Sequence, residues 1–76
     1  MNTDLKLFDV VALERPVPEK GLTRGQVGTL VEELGSGAFE VEFNDDEGRT
    51  YAFAALSSAD VLKLVYAPNP AKGMAA

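Results

Sequence analysis

Neither cysteine nor histidine occurs anywhere in this 76-residue chain, and tryptophan is missing as well. Without cysteine there are no disulfides and no thiolate ligands, and without histidine there is no imidazole metal site. Ser57, Ser58 and the threonines also have no histidine base to activate them. Basic residues are scarce, seven against twelve acidic, which gives a formal charge of −5. Those seven, Lys6, Arg15, Lys20, Arg24, Arg49, Lys63 and Lys72, stand singly along the chain. Nucleic-acid binding requires phosphate neutralisation by such residues, so the overall field works against it. Apolar runs of signal-peptide or membrane-span length are absent too, and Met1-Asn2-Thr3-Asp4 offers no basic leader. A cytoplasmic protein with no membrane partner is the expectation.

What is present fits one small domain. A chain of this length buries only about 60% of the surface it exposes when unfolded, so every large apolar residue has to contribute to one core. Stability then comes from packing, with homo-oligomerisation as a natural supplement.

The pattern along the chain is that of strands and turns. Leu7–Leu13 reads as a first strand, followed by a loop over Glu14–Gln26 that contains Pro16, Pro18, Gly21 and Gly25. Val27–Leu34 is a second strand ending at Gly35-Ser36-Gly37. In Ala38–Asn44, Phe39, Val41 and Phe43 alternate with Glu40 and Glu42, the period of two that sends one face to a core and the other to water. Asp45-Asp46-Glu47-Gly48 makes the next turn, and Arg49–Ala55 forms a fourth strand with Tyr51 and Phe53 on one face. Ser57-Ser58-Ala59-Asp60 suits one turn of 3₁₀ helix, and Val61–Tyr66 a fifth strand with Leu62, Leu64 and Tyr66 opposite Lys63. These elements predict an all-β, five-stranded SH3-like barrel over residues 1–66, with a disordered tail over 67–76.

Parity fixes a register for the central hairpin. A three-residue loop over Gly35–Gly37 pairs Leu34 with Ala38, Val31 with Val41 and Thr29 with Phe43, so that apolar residues meet on one face. A two-residue loop sets Glu32 against Phe39 instead and scrambles both faces. The odd loop makes Glu32 and Glu40 direct neighbours on the outer face, where like charges repel. From Glu32 to Glu47 there are seven carboxylates and no basic residue.

The segments Leu7–Leu13, Gly21–Glu32 and Gly37–Phe43, continued by Asp46, Gly48–Ala52 and Leu56, resemble a family of small bacterial and cyanobacterial proteins described only as a domain of unknown function. The resemblance implies an SH3-like barrel and brings no functional residues. More loosely, Gly25–Val31 is similar to the Gly-x-Val-Gly-x-Val element of KOW domains and of the SH3-like domain in the nitrile hydratase beta subunit.

The candidate chemistry is limited. Gly25 and Gly28 belong to no phosphate-binding motif, because no helix follows them, and their use is to let a strand begin, bend or pack closely. Asn44–Gly48 lacks the spread of ligands over about twelve residues that a calcium loop needs. No catalytic residue, cofactor or metal is therefore expected, and the chain reads as a non-catalytic, protein-binding module. Its candidate surface is Glu32, Glu40, Glu42, Asp45, Asp46 and Glu47, meeting a partner protein with a basic surface, with an antitoxin or immunity-like role as one form. The alternatives are a KOW-like module binding RNA or the ribosome through Arg15, Lys20, Arg24 and Arg49, and a homo-oligomeric accessory or structural piece.

Overall fold

The computed structural model describes residues 5–66; the tail expected from Ala67 onward lies outside them. Five strands, β1 (Val10–Leu13), β2 (Val27–Gly35), β3 (Ala38–Asn44), β4 (Thr50–Ser57) and β5 (Val61–Lys63), form one antiparallel sheet in the order β4-β3-β2-β1-β5. Single turns of 3₁₀ helix occupy Pro18–Lys20 and Ser58–Asp60. No helix is long and apolar enough to cross a membrane among the described residues. β4 and β5 are the two ends of the sheet and no ladder joins them, so hydrogen bonding leaves open the barrel expected from the sequence.

The core is the inner face of this curved sheet. Val11 and Leu13 from β1, Leu30 from β2, Phe39, Val41 and Phe43 from β3, Ala54 and Leu56 from β4, and Val61 from β5 are all buried. Val17 and Leu22 complete it. They come from the long segment expected to be loop, which folds back on itself through paired Val17–Leu22 backbone bonds of 2.9 and 3.1 Å. Pro18 starts its 3₁₀ turn, where a missing N–H costs nothing, and Gly21 ends it at φ 70°. Val17 thus turns inward, while Arg15, Pro16 and Pro18 around it stay exposed.

The central hairpin departs from the expected register. Gly35 pairs with Ala38, leaving a two-residue turn at Ser36-Gly37 with φ values of 55° and 78°. Positive φ at both positions gives the tight turn whose twist suits a hairpin. Two bulges then step the register, one between Glu33 and Gly35 and one between Leu30 and Glu32, so the inner pair is Leu30–Val41, and Phe43 faces Gly28. Glu32 does oppose Glu40, but Leu34, Val31 and Thr29 do not oppose Ala38, Val41 and Phe43. Parity had to be restored somewhere; the extra residues sit inside β2 and not in the loop.

Gly28 explains why the register settles there. A Cβ at this position would lie 2.7 Å from Val41 Cγ1, 2.9 Å from the Glu42 carbonyl oxygen and 3.0 Å from Phe43 Cδ2, so the missing side chain is what lets Phe43 pack flat against β2.

Two further expectations are corrected at the ends of the sheet. On β4 the inward positions opposite Val41 and Phe39 are Ala54 and Leu56, while Phe53 pairs with Glu42 and is exposed. A bulge at Tyr51, between the pairs Phe43–Ala52 and Asn44–Thr50, separates Tyr51 from Phe53 and brings its ring within 6.3 Å of Phe43. There Gln26 Nε2 donates to its hydroxyl at 3.0 Å, so Tyr51 closes one rim of the core. On β5, pairing of Val61 with buried Leu13 points Val61 inward and leaves Leu62 exposed, the reverse of the expected face. Regular pairing ends at Lys63, and Tyr66 is exposed.

Candidate functional site

The six carboxylates singled out from the sequence fall into two groups with different surroundings. Asp45, Asp46 and Glu47 lie on the β3–β4 turn. Asp45 organises that turn: its Oδ1 accepts the N–H groups of Glu47 and Arg49, each at 2.9 Å, and its own N–H donates to the Arg49 carbonyl at 2.8 Å. Gly48, at φ 83°, supplies the left-handed residue the turn needs. The Arg49 guanidinium pairs with Glu47 and lies 3.5 Å from Asp45. Asp45 is thus committed to backbone geometry, and two of the three charges share a cation that the sequence separates from them by only a glycine and, for Asp45, two more acids.

The second group lies on the strands. Glu42 is half-buried and accepts from Asn44 Nδ2 at 3.3 Å and from the Thr50 hydroxyl, which fixes it across β3 and β4. Glu32 and Glu40 face one another directly and, among the described residues, neither pairs with a lysine or arginine. Glu33, outside the candidate set, is exposed, but it lies opposite buried Phe39, so the pleat turns it to the other face of β2 from Glu32 and Glu40. The uncompensated acidic surface is therefore Glu32 and Glu40, with Asp46 at the turn. No three acidic side chains are grouped to hold a metal ion among the described residues.

The basic residues are distributed otherwise. Arg15 Nε donates to Asp60 Oδ1 at 2.7 Å, and Asp60 Oδ2 accepts from the Ser57 N–H and hydroxyl, closing the capping box of the second 3₁₀ turn. The Arg15 hydrogen bond, opposed by desolvation and reinforced by the Ser57 donors, holds Asp60 below its ordinary value of 3.8. At the start of β1, desolvation pushes Asp9 up, but the Lys6 N–H, donating at 3.0 Å, and the Lys63 ammonium, at 3.5 Å, outweigh it and hold Asp9 low. With Arg15 and Arg49 both in ion pairs, only Lys20 and Arg24 of the four residues considered for RNA make no ion pair among the described residues.

Comparison with known proteins gives one match. No curated protein and no solved structure is significantly similar to the chain. A family model described as a domain of unknown function, DUF4926, matches residues 7–63, which span β1 through β5 and every acidic position discussed above. The chain belongs to the DUF4926 family.

Proposed function

We propose that the protein is a non-catalytic, cytoplasmic protein-binding module, a partly opened SH3-like barrel whose acidic outer face docks a basic surface on a partner protein. The observation that carries this reading is the Glu32–Glu40 pair. Two carboxylates held opposite each other destabilise a sheet by a few tenths of a kcal/mol, and a basic partner removes that repulsion on binding while complementary charge speeds and orients the encounter. Asp46 extends the surface at the turn, and Glu42 contributes from its edge. Small acidic proteins that neutralise a basic toxin or nuclease use this logic, so an antitoxin or immunity-like role is its most specific form. The barrel assignment draws support from the strand order, with β1 between β2 and β5 and a 3₁₀ turn carrying β4 into β5.

Affinity purification from the native host identifies the partner, and titration of that partner with the Glu32→Lys, Glu40→Lys double variant tests the face. Binding weaker by tenfold or more is expected, and unchanged affinity in a folded variant rejects the acidic face. Binding of RNA through Lys20 and Arg24 is the weaker alternative, because it retains two unpaired cations against a charge of −5. It requires a complex that dissociates steeply with added salt.

A further inference from the structure

The longest run without a charged residue in the whole chain is Thr50–Ala59, ten residues. It contains all of β4, and β4 is an end strand of the sheet. Among the described residues no strand pairs with its outer edge, and of its N–H groups only that of Ser57, at the strand's end, is taken by a side chain, Asp60. Every second residue of an end strand directs its N–H and C=O groups away from the sheet, and soluble proteins guard such edges with lysine, proline, inward charges or short strands. β4 has no lysine, no proline and no charge, and at eight residues it is longer than β1 and β5 together. A bulge occurs only at its first turn, at Tyr51.

We propose that β4 is a self-association edge, pairing antiparallel with β4 of a second copy about a twofold axis to form one continuous ten-stranded sheet. This assigns an interaction surface separate from the acidic face and does not depend on what that face binds. Charge selects a second copy as the occupant. A protein carrying −5 repels itself, so self-contact is tolerated only where no charges meet, and β4 is the longest strand segment that satisfies this. Across the pair, Glu40 and Glu42 of β3 would lie three strand spacings from their counterparts, roughly 14 Å, beyond a Debye length of about 8 Å at physiological salt.

Face parity narrows the register further. Ala52, Ala54 and Leu56 line the inner face and Phe53 and Ala55 the outer, so the twofold must set a residue opposite itself. Centred on Ala54, the pairing places each exposed Phe53 against the exposed Ala55 of the other copy, large against small on both sides.

Sedimentation equilibrium of the full chain from 10 μM to about 1 mM, at physiological salt, tests the proposal. The average mass is expected to rise from 8.1 kDa towards twice that value. Ala55→Lys should hold the protein monomeric, with its melting temperature at dilute concentration kept or raised because the new lysine sits opposite Glu40. Val27→Lys, also on an exposed side chain but away from this edge, should leave the dimer intact. A wild-type chain that stays monomeric throughout overturns the proposal. So does a dimer that survives Ala55→Lys, or one that Val27→Lys dissociates.

Discussion

A methyl group at position 28 has nowhere to go, since one of its three close neighbours is the backbone oxygen of Glu42, which cannot rotate aside. Gly28→Ala should therefore cost about 1–3 kcal/mol, as overpacking of a filled core does, seen as a lower urea midpoint at unchanged slope. Glycines beside an alternating strand are legible in a sequence as packing or bending positions, but which atoms fill the space is not. The same limit applies to Asp60. Its place in a 3₁₀ turn could be read from Ser57-Ser58-Ala59-Asp60, whereas its partner Arg15 lies 45 residues away and only the fold brings them together. Because Asp60 is held low, its contribution is present above its ordinary value of 3.8 and is lost as pH falls through its lower folded value. Asp60→Ala should lower stability by about 1–2 kcal/mol at pH 7 through loss of the cap, and should flatten the acid limb of a stability-against-pH profile below about pH 4.

Strand identity was legible wherever alternation was strong, and β3 has the bounds its phenylalanines, valine and glutamates predict. Faces were harder. Alternation assumes an unbroken pleat, and the bulges at Val31, Leu34 and Tyr51 each break it, re-aiming the residues beyond. That is why Leu30 and not Val31 meets Val41, and why Tyr51 reaches a rim while Phe53 faces water. β5 misled for a different reason: three residues hold too little pattern to reveal which face is apolar, and the register comes from β1. Leu30 is wholly buried opposite Val41, so Leu30→Ala should lose about 2–5 kcal/mol, whereas Val31→Ala, half-buried at the bulge, should lose under about 1.5 kcal/mol. Equilibrium unfolding of the two variants side by side distinguishes the observed register from the unbroken one, which would make Val31 the costlier loss.

At the scale of the molecule, charge and edge organise the surface. The acidic run looked continuous in the sequence because residues 32–47 contain no lysine or arginine. Folding divides it, since Arg49 lies just beyond the run and returns across the turn to Asp45 and Glu47, while Glu32 and Glu40 are left opposed. Converting Glu32 to Gln should stabilise the isolated protein by about 0.2–0.5 kcal/mol, with the gain shrinking as salt is added, a result read from thermal melts at two ionic strengths. Sequence pattern also cannot show whether a sheet closes, because closure depends on twist and on whether the two end strands come within bonding distance.

One map of backbone nuclear Overhauser contacts addresses both the open sheet and the opposed carboxylates. It should place Leu30 opposite Val41 and Glu32 opposite Glu40, with one residue more on β2 than on β3 between those pairs, and show no ladder between Thr50–Ser57 and Val61–Lys63. Val31 opposite Val41, or cross-strand contacts joining β4 to β5, would contradict the account.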